Sequence, residues 1–286
     1  MASPRAAIAA LLAAACLAVA RSHGGGGAAA GPAFGYVPGS GDGPENWGKL
    51  SPAYRLCGDG KRQSPIDIVT KQAAATHNLD SLSRTYAAAN ATLISNGHDI
   101  MMSFEGAVGA ITVAGKAYSL EKLHWHMPSE HTLNGRRFPL EMHLVHRSGD
   151  SALAVIGVLY ELGGADAFYW QLKEKLAEMA RDRCDFAGGE ESRVAAGLVQ
   201  MRPLQKRTGS YFRYSGSLTT PPCTENVVWN ILGKVRQIAG DQLDLLASLL
   251  PAAAAGHGRA RPTQPLNGRP LQFYNPPNST VSFDMS

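Results

Sequence analysis

From about residue 34 onward the apolar residues of this chain fall in short runs cut apart by Gly, Pro and Asn. "ATLISN", "AITVAG", "SLEKLHWH", "LEMHLVH", "LAVIGVLY", "YFRYSGSL" and "NVVWNIL" are six to eight residues long and mostly alternating or continuously apolar. Runs of that length and pattern predict strands with one or both faces buried. Helical spacing appears in few places: residues 165–180, with Asp166 placed to cap the first turn, and residues 239–250, stopped by Pro251. No linker, repeat or low-complexity block divides the stretch. A length of 286 residues accommodates one large domain or two small ones. The pattern favours a mainly β (α+β) single domain, a large sheet with peripheral helices.

The N-terminus reads as an address. Arg5 precedes an apolar run from Ala6 to Ala20 that ends in Ala18-Val19-Ala20, a small-x-small cleavage pattern, so residues 1–20 are expected to be a signal peptide. The competing reading is a membrane anchor or buried helix, but 15 residues fall short of the ~20 that span a bilayer. Residues 21–33 have too little apolar surface to order and read as a flexible Gly/Ala-rich leader. The C-terminal "NSTVSFDMS" has no hydrophobic tail, so the mature chain is expected to carry neither a transmembrane segment nor a lipid anchor. A secretory route, to the extracellular space (apoplast) or a compartment reached through it, follows.

Other features agree with export. With Cys16 removed, Cys57, Cys184 and Cys223 remain; an odd count permits one disulfide and leaves a spare thiol. No C-x-x-C occurs, so thiol redox chemistry and a thiolate zinc site are not indicated. Asn90 and Asn278 begin acceptor sequons for glycosylation. The formal net charge is only +4, and the pairs Arg136-Arg137 and Lys206-Arg207 are too small to make a phosphate-binding face. Nucleic acid is not expected as a partner, and the sequence leaves the oligomeric state open.

The densest chemistry lies in "LHWHMPSEH", residues 123–131. On a strand, His124 and His126 face the same side and Trp125 the other, their Cα atoms about 6.5–7 Å apart. The turn-forming "NGRRFP" follows, and an antiparallel return through "LEMHLVH" would bring His143 opposite the pair. Glu141 and Val145 would share its face, with His146 on the other. Three neutral imidazoles leaving a fourth position open is the ligand set of a catalytic zinc, whereas structural sites close with four. Spacing alone leaves three unrelated strand histidines as an equal alternative.

Taken together, "GDGPENW" (41–47), "RQSPIDI" (62–68), "NGHDI" (96–100), "LHWHMPSEH", "LEMHLVH", "GSLTTPPCTE" (216–225) and "PTQPLNGR" (262–269) resemble, in order, the α-class carbonic anhydrases, in particular their secreted plant branch. The resemblance covers residues 34–283. It implies a twisted, mostly antiparallel sheet of about ten strands, and a zinc enzyme (a carbonate dehydratase) that hydrates CO2 reversibly to bicarbonate and a proton by attack of a zinc-held hydroxide. By motif position His124, His126 and His143 would be the ligands of Zn2+, and Glu141 would orient His143. Thr219 would hydrogen-bond the zinc-held group with Glu130 as its own acceptor. Val145, Val155, Leu218, Val227 and Trp229 would wall an apolar CO2 pocket. His98 would shuttle the proton, through water ordered by Tyr36, Asn96 and Thr220. Cys57 and Cys223 would form the disulfide, leaving Cys184 free, and Ser64-Pro65 and Pro221-Pro222 would be cis. His77 and His257 match no role.

Two positions depart from the family pattern. Lys122 stands where an acceptor for the first ligand is usual, and lysine only donates; Met101 replaces a polar cleft residue. A storage or carbohydrate-binding protein of the same fold with vestigial activity is the alternative reading, against which the intact ligands, Thr219, Glu130 and His98 argue. A serine hydrolase is not supported, since G-x-S-x-G is absent.

Overall fold

The computed structural model describes residues 32–76, 79–95, 99–181, 191–205, 209–250 and 258–276. The expected signal peptide, most of the leader, His77, Asn96, His98, Cys184, His257 and Asn278 lie outside the described residues. In chain order the strands are β1 (Asp67–Ile68), β2 (Ala74–Ala75), β3 (Ala89–Ser95), β4 (Ile100–Phe104), β5 (Ala110–Val113), β6 (Lys116–His126), β7 (Thr132–Leu133), β8 (Arg136–Arg137), β9 (Leu140–Arg147), β10 (Leu153–Leu162), β11 (Ser192–Val199), β12 (Tyr211–Ser217), β13 (Glu225–Leu232), β14 (Arg236–Ile238) and β15 (Gln272–Tyr274). The α-helices are α1 (Trp47–Leu50), α2 (Leu56–Asp59), α3 (Ala167–Arg181) and α4 (Gly240–Ser248).

Twelve strands form one sheet whose main path runs β11-β3-β4-β6-β9-β10-β13-β12-β15-β2, with β5 beside β6 and β14 beside β10. The main path has the ten strands expected from the motifs. Most pairings are antiparallel; β10–β13, β10–β14 and β15–β2 are parallel. β1, β7 and β8 make a small separate sheet. At the centre, β9 is buried along all but its last residue, so both of its faces are packed. A strand covered on both sides reads as a near-continuous apolar run, which "LAVIGVLY" supplies; in "LEMHLVH" the run is broken by Glu141, His143 and His146, all buried.

The period-2 alternation of β9 divides the molecule into two chemistries. Leu140, Met142 and Leu144 join the larger core with Leu123, Trp125, Ile156 and Val158. Phe168, Tyr169, Leu172, Leu176 and Met179, all buried on α3, cover this face. The helix starts where expected: Asp166 Oδ1 accepts from the Phe168 N–H at 2.7 Å, satisfying one orphan donor of the first turn. His146 also belongs here. Its Nε2 meets the Tyr86 hydroxyl at 2.6 Å, its Nδ1 faces the Ala154 carbonyl at 3.2 Å, and burial pushes its pKa down to about 3.

The opposite face of β9 presents Glu141, His143 and Val145, and its apolar floor is a second cluster containing Val145, Val155, Val227 and Trp229. A third cluster joins Tyr36, Trp47, Tyr54 and the Cys57–Cys223 disulfide, which bridges 166 positions of sequence. Both X-Pro bonds expected to be cis are cis, and Met127–Pro128 is a third that the motifs did not signal.

Candidate metal centre

Strand register sets the three histidines side by side. His143 on β9 is directly opposite His124 on β6, and Glu141 is opposite His126. The return through "NGRRFP" that the sequence implied is made by Asn134 and Gly135, both at positive φ. One nitrogen from each of His124, His126 and His143 lies within 4.8 Å of the others. His143 Nδ1 and His124 Nε2 are 3.2 Å apart.

The second nitrogens explain why these rings converge. His143 donates through Nε2 to Glu141 Oε1 at 2.8 Å, which leaves Nδ1 as a lone pair facing the cluster. His126 donates through Nδ1 to the Arg259 carbonyl at 2.9 Å, so its Nε2 is also a lone pair. That Nε2 is buried without a hydrogen-bond partner, 3.4 Å from the likewise unpartnered Oε2 of Glu130. Several acceptors turned toward one another in a buried space are the environment a cation satisfies. The donor set of three imidazoles suits zinc.

Electrostatics points the same way. Burial, then the neighbouring His126 and His143, hold the His124 imidazolium well below its ordinary pKa. Burial also lowers His143, opposed by Glu141. Both rings are therefore neutral, the form that ligates. At His126 burial is outweighed by Glu130 and Asp99, and its pKa is raised. A proton and a metal ion would compete for the same nitrogen.

Glu141 does more than bond His143. Its Oε2 accepts from the backbone N–H groups of Glu130 and His131, each at 2.8 Å, and its Oε1 accepts from His131 Nδ1 at 2.7 Å as well as from His143. Burial would raise this carboxyl, but His131 and His143 hold it well below the usual carboxylate range. His131 Nε2 in turn meets the Tyr214 hydroxyl at 2.7 Å, which donates to Ser64 Oγ at 2.8 Å. His131, Glu141 and His143 also fall within 4.8 Å of one another. Their near atoms are already joined by hydrogen bonds, so this second grouping is a positioning network.

Two glycines make room for it. A Cβ on Gly157, opposite His143, would stand 2.6 Å from Ile231 Cδ1 and 3.0 Å from Glu141 Oε1. Gly258, at φ +66°, would drive a Cβ to 2.1 Å from Pro128 Cδ; its conformation delivers the Arg259 carbonyl to His126.

The residues expected to wall an apolar pocket lie together. Val145, Val155 and Trp229 stand in one row across β9, β10 and β13, and Leu153 on β10 faces Val227. Leu218 packs against this cluster from the loop after β12. Trp229 is held by its Nε1–H to the Ser217 carbonyl at 2.9 Å. Thr219 is buried on the same loop, with Thr220 next to it half-buried.

One expected contact is not made. Thr219 does not donate to Glu130 Oε2, which has no partner, because that oxygen is turned toward His126; Oε1 accepts from the Arg261 N–H at 3.0 Å. Arg261 then reaches the disulfide loop, donating to the carbonyls of Cys57 and Ser64 and to Gln63 Oε1, each at 2.8 Å. Tyr36 is buried, with its hydroxyl unpartnered, and burial raises its pKa well above the ordinary value. Asn90 is exposed on β3.

His131, Arg259 and Arg261 were not assigned by spacing. His131 lies in "SEH", but its link to Glu141 spans the loop that carries β7 and β8, and Arg259 and Arg261 meet His126 and Glu130 through backbone atoms.

The profile of the eukaryotic-type carbonic anhydrases matches residues 42–275. The chain belongs to that family. It is 42% identical over 243 residues to alpha carbonic anhydrase 7 of Arabidopsis thaliana, covering 85% of each chain. It is 39% identical over 242 residues to dioscorin DB3L of Dioscorea polystachya, covering 84% of this chain and 86% of that one. Among solved structures, a dioscorin complexed with ascorbate superposes with TM-score 0.80 at 36% identity, over 87% of this chain and all (100%) of that one. The α-carbonic anhydrase of Thermovibrio ammonificans with sulfanilamide gives 0.72 at 33% identity, over 85% and 100%. The fold is thus that of the α-carbonic anhydrases. Among the described residues no helix is long and apolar enough to cross a membrane.

Proposed function

We propose that the chain is a zinc-dependent carbonic anhydrase of the secretory pathway, interconverting CO2 and bicarbonate. The observation that carries this reading is the meeting of His124, His126 and His143 within 4.8 Å beside an apolar wall. These three residues would hold Zn2+. The ion supplies Lewis-acid activation of a water molecule at near-neutral pH, for which carbonic anhydrases are themselves the reference case.

The chain's own residues do the rest. Glu141 and the Arg259 carbonyl fix the tautomers of two ligands, so that lone pairs point inward. Thr219 and Glu130 govern which atoms at the open position carry a proton: a hydroxyl whose one hydrogen is spent on a carboxylate can only accept. Glu130 Oε2 is free to receive that hydrogen once a cation occupies His126 Nε2. Val145, Val155, Val227 and Trp229, with Leu218 at the edge, offer CO2 a surface without hydrogen-bond demands. His98 takes the released proton to solvent, with Tyr36, Asn96 and Thr220 along the water path; an imidazole's ordinary pKa near 6.5 suits both uptake and release.

The disulfide and the apolar Ala6–Ala20 run support passage through the secretory route, where Asn90, being exposed, is accessible to glycosylation. A storage role with vestigial activity is the second reading, favoured by the likeness to dioscorin. CO2 hydration by the zinc-loaded chain, set against a ligand variant, separates the two.

A further inference from the structure

The three ligands are not equally supported. His126 and His143 each have an acceptor for the second nitrogen, at 2.9 and 2.8 Å. The second nitrogen of His124, Nδ1, is buried and has no partner. When Nε2 of this ring binds a metal, Nδ1 must carry the hydrogen, and a buried N–H without an acceptor is a standing cost.

The strand geometry locates the cause. Lys122 is two residues before His124 and therefore on the same face of β6, opposite Val145 on β9 and Ser103 on β4. Regular pairing would set residue 120 against 147, but Leu120 faces His146, so Glu121 is a bulge. Bulges re-aim side chains. Here the outward Glu121 pairs with Arg147 at 3.0 Å while Lys122 stays in register with the site. An ammonium has three hydrogens and no lone pair, so it cannot accept from Nδ1. Ser103 and Met101, the β4 neighbours in register, bring no bond to Nδ1 either.

Resting on the zinc reading above, we infer that Lys122 is a positioning residue that loosens the metal site: it leaves His124 an unanchored ligand, so this chain holds zinc less tightly and releases it faster than the same site with an acceptor at position 122. Loss of an outer-shell partner typically changes metal affinity by about 10–100-fold.

The test is zinc affinity by competition with a chromophoric chelator, and zinc off-rate after chelator addition, for the full chain and for Lys122→Gln and Lys122→Met. Glutamine supplies a carbonyl acceptor; methionine removes the charge at similar length without one. The inference expects Lys122→Gln to bind zinc about tenfold more tightly and release it correspondingly more slowly, with Lys122→Met within threefold of the parent. Equal affinities for the parent and Lys122→Gln would overturn it. So would equal tightening by both variants, which would assign the effect to charge alone. A parent chain that takes up no zinc would sink the metal reading itself, a result distinct from zinc binding that ignores residue 122.

Discussion

Replacing Glu141 by glutamine tests the positioning network at its centre. The carboxylate receives four donors: two backbone N–H groups on Oε2 and two imidazole nitrogens on Oε1. An amide keeps one acceptor oxygen and turns the other arm into a donor, so in either orientation two of the four donors face an NH2 group. The backbone pair, from Glu130 and His131, cannot swing to water, since both residues are buried. Each buried donor left unpaired costs about 1–3 kcal/mol, giving a loss of about 2–6 kcal/mol. A gain opposes this, because removing a buried charge relieves desolvation. The loss prevails here because the charge is met by four hydrogen bonds and breaking half a satisfied site strands its partners. The assay is equilibrium unfolding in urea of the zinc-stripped protein, so that metal loss does not enter. A drop of at least ~2 kcal/mol is expected against a typical total of about 5–15 kcal/mol. Zinc affinity measured separately should fall about 10–100-fold. Unchanged metal-free stability would refute the claim that Glu141 organises the turn as well as His143.

Two further outcomes are expected. His146 has its folded pKa depressed to about 3, so the unfolded chain takes up a proton below about 6.5 that the folded chain refuses. The stability it contributes is full above that pH and falls by about 1.4 kcal/mol per unit as the solution is acidified toward 3. Urea unfolding at pH 7 and pH 5 should therefore show His146→Gln losing about 2 kcal/mol less than the parent; parallel losses would contradict the assignment. His98→Ala should lower the maximal CO2 hydration rate and recover it in concentrated imidazole buffer, and absence of recovery would remove His98 from the proton path.

The sheet was readable because β10 is buried on both faces and reads as a continuous apolar run, because β9 alternates between an apolar face and one bearing Glu141 and His143, and because α3 announced itself by spacing and by Asp166. The histidine triad was readable for the same reason: a period of two on β6 and a tight turn before β9 put His143 opposite His124. What escaped depends on atoms that spacing does not carry. His131 meets Glu141 across ten positions of sequence that include β7 and β8, a contact that strand spacing does not carry. The acceptor for His126 is a backbone carbonyl 133 positions away, delivered by Gly258 in a left-handed conformation. The Glu121 bulge that keeps Lys122 in register with His124 follows from sheet pairing. The edge pair β15–β2 joins two three- and two-residue strands too short to show a pattern.

The most direct measurement is stopped-flow CO2 hydration by the zinc-loaded chain, with His124→Ala, prepared in the same way, beside it. The account predicts sulfonamide-sensitive turnover in the parent and none above the uncatalysed rate in the variant, with zinc content lost in parallel. A parent rate equal to that of the variant would contradict it and favour the storage reading.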